Sequence, residues 1–417
     1  METDVVVIGG GPAGLAAAAI ASQQQVDVTI IERGIELGGI LPQCIHNGFG
    51  NFIFKKMLTG PEYAQHYIDL VKKQKIHIKI DTTVLKITKN KQIFATNSKE
   101  GLFKIKSKSI VLAMGCRERT RSQILLPGSR PAGIYTAGTT QRLINIDGIM
   151  PGSKIVILGS GDVGLIMARR FILEGAEVEG VYEILPHPGG LTRNIVQCLE
   201  DFDIPLNLCH TVTEIHGKKR VTGVTVAEMD SSNFNPKKGT ERFVSCNTLI
   251  LAVGLIPENE LSKQINISMD SNTGGPIVDN NMQTSEDGIF ACGNVVHVHD
   301  LVDDVTIASE LAGKSAAEYV KNQIEESPLK PVYPGKNVVY VVPQHIRCDS
   351  RSSITLYLRV KNIMKNAEIK VIEDNDIVAQ KKERIVKPPE MVKIDISSEV
   401  ANKIKKAVKV NVEGELL

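Results

Sequence analysis

Near its start the chain carries an unbroken apolar run, Val5-Val6-Val7-Ile8 behind Asp4, with no polar alternation inside it. A strand that is apolar at every position is one buried on both faces, as in a parallel sheet covered by helices. Gly9 to Gly14 then reads as a tight turn. Pro12 suits the first turn of a helix, where its missing N–H costs nothing. The alanine-rich stretch behind it predicts a helix to about Ser22, and Val26 to Ile31 a second strand ending at Glu32. The same order returns at Lys154: a strand to Leu158, a turn from Gly159 to Gly164, a helix from Leu165 to about Glu174, and a strand from Glu177 to Tyr182. A whole strand–turn–helix–strand unit is repeated, which differs from a short-period solenoid. After about Pro331 the pattern becomes a period-two alternation, clearest in Ile354 to Val360. Glu368 to Ile372 and Ile377 to Gln380 flank Asp374-Asn375-Asp376 as a hairpin, and Met391 to Ile396 follow the turn signal Pro388-Pro389.

The two turns have the spacing of a dinucleotide fingerprint. In Gly9-x-Gly11-x-x-Gly14 the first glycine permits the turn, the second lets a pyrophosphate approach the backbone, and the third lets helix and strand pack closely. The helix N-terminus offers N–H groups and a positive dipole end to the phosphates. Glu32 lies at the end of the second strand, placed to accept ribose hydroxyls. Gly159-x-Gly161-x-x-Gly164, with Asp162 and Val163 inside it, repeats the arrangement. By count, Tyr182 stands where Glu32 stands, and Glu183 follows one residue later. A carboxylate reaching a ribose from Glu183 favours NADH. A 2′-phosphate needs a basic residue instead, and His187 and Arg193 are near enough in sequence to keep NADPH open. The fold class expected is α/β: two Rossmann-like dinucleotide-binding domains plus a small C-terminal mostly-β domain. Two nucleotide sites in one chain imply transfer between them, and flavin and nicotinamide are the pair that exchanges hydride.

Composition narrows the partners. With 49 Lys and Arg against 47 Asp and Glu, the net charge of +2 gives no reason to expect nucleic acid or an anionic membrane. No apolar run approaches the roughly 20 residues of a transmembrane helix. The seven cysteines (Cys44, Cys116, Cys198, Cys209, Cys246, Cys292 and Cys348) form no C-x-x-C pair, which argues against a zinc or iron–sulfur site. A strand beginning at Asp4 leaves no room for a signal peptide. The expectation is a cytoplasmic protein with reduced thiols and no metal.

Five further segments follow in order: Leu37-Gly38-Gly39, Ile110 to Gly115, the second fingerprint, Leu249 to Gly254 with Pro257, and Gly288 to Asn294. With the first fingerprint and Glu32, this set resembles the two-dinucleotide-binding-domain flavoproteins, the pyridine nucleotide–disulfide oxidoreductase superfamily, over residues 1 to about 325. The resemblance implies FAD at the first site and NAD(P)H at the second. It implies a nucleotide domain, 119–255, inserted in an FAD domain, 1–118 and 256–330, with 331–417 appended. It implies FAD contacts from Gly9, Gly11, Pro12, Ala13, Gly14, Glu32, Arg33, Gly39, Val84, Ala113, Gly115, Gly293, Asn294 and Thr306. Asn294 replaces the usual aspartate, and an amide can both donate and accept. A helix start near Val305-Thr306 would aim its N-terminus at the flavin's pyrimidine edge. Gly159, Gly161, Asp162, Val163, Gly164 and Glu183 would hold the nicotinamide nucleotide.

The departures matter as much. Where disulfide reductases carry C-x-x-x-x-C, this chain has Gly38 to His46 with the single Cys44. A dithiol reductase is therefore not expected. Gln43 to Gly50, Leu58 to Tyr63, Gly115 to Arg119 and Asn294 to Asp300 are similar to a subgroup of flavoprotein subunits: opine oxidase A subunits, hydrogen cyanide synthase B subunits and NADH-oxidase-like proteins. Cys44 and His46 lie where that resemblance places residues beside the isoalloxazine ring, as tuning or proton-relaying groups or simply as a buried thiol and a loop histidine. His297, His299 and Asp300 fit a loop near the flavin or a partner surface better than a metal cluster. Arg117, Arg119 and Arg121 are candidates for a phosphate contact. The leading expectation is an FAD-dependent oxidoreductase exchanging hydride with NAD(P)H, NADH favoured. Electrons then pass to or from a partner dehydrogenase or small redox subunit, or to quinone or O2. A stand-alone NADH oxidase and an assembly subunit with a structural nucleotide are the alternatives.

Overall fold

The structure, a computed structural model, describes residues 1–230, 232–323, 327–347 and 352–417; Cys348 lies outside them. The chain divides into two compact units, Met1–Cys116 with Pro257–Leu417, and Arg117–Ile256 between those segments.

The first unit is built on a seven-stranded sheet ordered Ile76–Lys79, Val28–Ile31, Glu2–Ile8, Gly101–Leu112, Gln92–Asn97, Thr82–Ile87, with Ile289–Ala291 also joined to Gly101–Leu112. The strands around Glu2–Ile8 run parallel. Val5, Val6 and Val7 are fully buried, as a strand covered on both faces requires. The helices Pro12–Gln23 and Val302–Val320 cross so closely that a methyl group at Gly313 would lie 2.1 Å from the Ala17 carbonyl oxygen.

The C-terminal segment of this unit contains two sheets. One has five strands: His345–Arg347, Leu329–Pro334, Val408–Leu416, Met364–Glu373 and Asp376–Val386 in that order. The other has three: Val338–Val342, Ile354–Val360 and Val392–Ile396. The predicted hairpin closes through Asp374, whose φ is +53°. A separate apolar cluster including Leu356, Leu358, Ile369, Ile394 and Val410 fills the interior. The α/β fold with a β-rich C-terminal region is as the sequence leads one to expect.

The second unit carries a five-stranded parallel sheet ordered Ile134–Thr136, Thr248–Leu251, Lys154–Leu158, Glu177–Glu183, Leu206–Leu208. A three-stranded antiparallel sheet, His210–Gly217, Val221–Glu228 and Arg242–Ser245, accompanies it. No helix among the described residues is long and apolar enough to cross a membrane.

The helix crossing gives a direct test. Gly313→Ala is expected to cost about 3 kcal/mol through overpacking. Gly101→Ala, at φ +66° with nothing within 4 Å, should cost about 1 kcal/mol for its left-handed backbone alone. Urea midpoints of the two variants decide this, and equal losses would mean that the helices simply move apart.

Candidate functional site

In the first unit Ile8 pairs with Ile31, so the chain turns at Gly9 beside Glu32. Gly9 has φ +112°, and a methyl there would lie 2.3 Å from the Ala113 carbonyl oxygen; one at Gly14 would lie 1.8 Å from the Gly9 oxygen. Only glycine allows those approaches. Gly11, by contrast, faces open space, with only the Gly39 Cα at 3.7 Å from its would-be methyl. The helix that Pro12 begins has no side-chain cap, so its first amides and positive end are left without a side-chain partner. The Glu32 carboxylate accepts the N–H of Gly10 at 2.6 Å and of Gly34 at 2.6 Å. Each oxygen keeps acceptor capacity for a ribose hydroxyl.

The neighbouring segments close on the same turn. Gly38 N–H donates to the Gly10 carbonyl at 2.8 Å, and a methyl on Gly39 would lie 2.8 Å from the Gly11 Cα. Thr82 N–H donates to the Glu32 carbonyl at 2.9 Å, which brings the strand bearing Val84 beside the carboxylate. A methyl on Gly293 would lie 2.8 Å from Ala13 Cβ and 3.3 Å from Val305 Cγ1. Gly115 has φ +69° and nothing within 4 Å of its would-be methyl, and Arg33 is exposed. An uncapped helix start, open space over the second glycine and a carboxylate at the strand end fit a dinucleotide such as FAD.

Several residues behave differently from expectation. The long helix begins at Val302, a turn before Val305-Thr306. Asp303 and Asp304 occupy its first turn, where the dipole favours acidic residues. Thr306 is buried inside the helix, its hydroxyl 2.7 Å from that of Tyr63. The Asn294 amide oxygen accepts the His299 N–H at 3.0 Å, and its nitrogen donates toward Cys116 Sγ at 3.7 Å. The Cys44 thiol is buried and donates to the Ile40 carbonyl at 3.4 Å, and burial pushes its pKa up to about 12. His46 is half-buried with its ring 5.2 Å from that of Phe49.

His297 and His299 are buried with their rings 4.0 Å apart, between Tyr340 and Tyr357. His297 Nδ1 and both ring nitrogens of His299 have no hydrogen-bond partner. Burial holds His297 well below the usual imidazole range and His299 down to about 3. Asp300 turns away to Arg359. No group of three or more metal-ligating side chains occurs among the described residues.

The second unit repeats the first. Gly159 has φ +90° and a methyl there would lie 2.3 Å from the Ala252 carbonyl oxygen; one at Gly164 would lie 2.5 Å from Ala252 Cβ. The helix Asp162–Leu173 has no side-chain cap from Gly161. Here the structure corrects the sequence count. The pairing slips between Ile155 and Val156, leaving Glu179 unpaired as a bulge. Leu158 therefore pairs with Tyr182 as Ile8 pairs with Ile31, and Glu183 is the true counterpart of Glu32. Its carboxylate accepts Ser160 N–H at 2.9 Å, Ser160 Oγ–H at 2.5 Å and Leu185 N–H at 3.0 Å. The Asp162 carboxylate accepts Leu191 N–H at 2.8 Å and Asn194 Nδ2–H at 2.6 Å, which fixes the chain after the second strand. Val163 is half-buried. The Arg121 guanidinium donates to the carbonyls of Leu126, Gly128 and Ser129. Arg117 and Arg119 are exposed.

With that geometry the comparisons agree. The model of the pyridine nucleotide-disulphide oxidoreductase family matches residues 3–318, and the chain belongs to that family. Members of that family bind FAD and use NAD(P)H. Among curated proteins it is similar to the hydrogen cyanide synthase component HcnB of Pseudomonas protegens, 26% identical over 66% of this chain and 61% of that protein. It is also similar to the A subunit of opine oxidase from Agrobacterium tumefaciens, 23% identical over 75% of this chain and 64% of that protein. The matches thus span under two thirds of the length of those two relatives. The small chain of the NADPH-dependent glutamate synthase of Escherichia coli is 26% identical over 77% of this chain and 68% of its own. Among solved structures, thioredoxin reductase of T. acidophilum shares the fold, with a TM-score of 0.62 at 21% identity over 77% of this chain and 99% of its own.

Two outcomes are expected. With its pKa near 12, Cys44 should escape iodoacetamide at pH 8 in the folded protein, read by peptide mass; rapid modification there would show a reactive thiolate. The two buried imidazoles are neutral when folded and take up protons on unfolding below about 6.5, so stability should fall as pH drops from there toward 3. Urea midpoints between pH 7 and pH 5 should drop in the wild type and drop less in His299→Leu.

Proposed function

We propose that this chain passes hydride between NADH and FAD and exchanges the electrons with a partner dehydrogenase or a small redox subunit. The observation that carries this is the duplicated carboxylate. Glu32 binds the amide of Gly10, and Glu183 binds the amide of Ser160, at the same place in each fingerprint. Each therefore stands at a strand end beside an uncapped helix start, as ribose recognition requires. FAD, when bound, supplies the hydride chemistry, and the protein's part is to bind and orient. Gly9, Gly11, Pro12, Ala13, Gly14, Glu32, Arg33, Gly39, Val84, Ala113, Gly115, Gly293 and Asn294 would hold it, with Thr306 bracing the wall through Tyr63. Gly159, Gly161, Asp162, Val163, Gly164 and Glu183 would hold the nicotinamide nucleotide. A buried carboxylate at Glu183 disfavours a 2′-phosphate by like-charge repulsion, which supports NADH.

With a buried neutral thiol at Cys44 and no C-x-x-C in the chain, electrons leave by another route than dithiol exchange. Similarity to HcnB, to the opine oxidase component and to a glutamate synthase small chain, each named as part of a larger enzyme, supports a partner chain as the acceptor in a cytoplasmic assembly.

An anaerobic titration tests the reading. Stoichiometric NADH should bleach a flavin band near ~450 nm, with NADPH weaker. Glu183→Gln should raise the KM for NADH about tenfold, the worth of one charge-assisted hydrogen bond, and narrow the preference. A flavin band that neither nucleotide bleaches would mean a structural nucleotide. Rapid turnover with O2 by the chain alone would favour an oxidase, and bleaching by NADPH alone would refute the role given to Glu183.

A further inference from the structure

The start of the 302–320 helix carries a concentration of negative charge withdrawn from water. Asp300, Asp303 and Asp304 lie within five residues; Asp303 and Asp304 are 1% and 4% exposed. The same helix start packs against the Gly9–Gly14 turn, since Gly293 is wedged between Ala13 and Val305. Three such carboxylates beside an anion-binding turn would cancel the positive helix end and oppose a phosphate-bearing, electron-accepting ligand.

Every one of them is compensated from a distant part of the sequence. Asp303 accepts the backbone N–H groups of Gly50 at 3.1 Å, Phe52 at 3.1 Å and Ile53 at 2.9 Å. Asp300 pairs with Arg359 and accepts Met391 N–H at 2.6 Å. Asp304 pairs with Lys393 Nζ at 2.7 Å. Arg359 also donates to the carbonyls of Val298 at 3.3 Å and Pro389 at 2.5 Å and to Tyr340 Oη at 3.2 Å. Both cations belong to the C-terminal β-strands, and their side chains are 18% and 35% exposed. From the same strands, Tyr340 and Tyr357 wall in His297 and His299.

We propose that the C-terminal β-region is a working part of the flavin site, with Lys393 and Arg359 as positioning residues. They neutralise Asp304 and Asp300, hold the 297–301 loop and the helix start, and so set the charge met by the flavin. The inference rests on the reading of this cradle as the FAD site. Reduction adds negative charge to the flavin, and a carboxylate stripped of its cation opposes that charge.

The test uses the full-length protein loaded with FAD, measuring flavin per chain after gel filtration, thermal midpoint, and flavin midpoint potential against a reference dye under anaerobic conditions. In Lys393→Met, which should fold because Lys393 is partly exposed, the equilibrium constant for reduction should fall about tenfold, about 30 mV for a two-electron couple. Lys393→Arg should keep the wild-type potential, and Lys393→Met with Asp304→Asn should restore it, because charge and not shape is at stake. Arg359→Met should lower flavin content as well, since the loop loses its staple. A wild-type potential and full flavin content in Lys393→Met would overturn the proposal. So would a lowered potential that neither Arg nor the paired Asn restores, because that pattern means structural damage. Failure of the wild-type chain itself to retain FAD would instead remove the flavin reading on which the proposal stands.

Discussion

Two backbones meet at the end of each central strand with no room for a side chain. Gly9 presses on the Ala113 carbonyl, and Gly159 on the Ala252 carbonyl, each 2.3 Å from the methyl it lacks. That contact turns the chain sharply enough for a helix to start over the end of the sheet. The second fingerprint glycine of each turn, Gly11 or Gly161, is then left at the surface of the cradle, and the last, Gly14 or Gly164, lets the helix settle on its strand. The carboxylates depend on the same geometry. Glu32 and Glu183 reach the amides of Gly10 and Ser160 only because the turn brings those amides back beside the neighbouring strand.

Around the first cradle the compensation of charge is the second organising fact. A helix whose first turn is acidic would ordinarily satisfy its own N–H groups. Here the carboxylates are spent elsewhere: on the 50–53 loop, on Arg359 and on Lys393. The 297–301 loop and the helix start behind it are thereby tied to the C-terminal strands. This gives the 331–417 segment a physical role that its own apolar core would not suggest. A buried pair broken on one side leaves an uncompensated charge, so such ties are costly to lose even where they add little net stability.

Membership of the pyridine nucleotide-disulphide oxidoreductase family fits this duplicated cradle, and the 38–46 segment beside it holds one cysteine, the buried Cys44. Burial pushes its pKa up to about 12, which leaves the thiol neutral at ordinary pH.

Elements with a local cause are legible in the residues alone. The all-apolar strand at Val5 to Ile8, the two glycine turns, the acidic strand end at Glu32 and the Asp374 hairpin follow from steric and periodic rules that act within a few residues. The family resemblance was legible for the same reason: its motifs are short and ordered. The remaining features arise from long-range packing. The slip at Ile155/Val156 makes Glu183, not Tyr182, the partner of the second turn, because strand pairing sets the register and residue counting does not see a bulge. The helix start moved back to Val302 because the buried Asp303 finds its donors some 250 residues away, at Phe52 and Ile53. Arg359 and Lys393 sit in a strand pattern with no chemical signature, and only long-range packing brings their charges to Asp300 and Asp304. Charge compensation between distant segments acts through space, and no period or spacing along the chain records it.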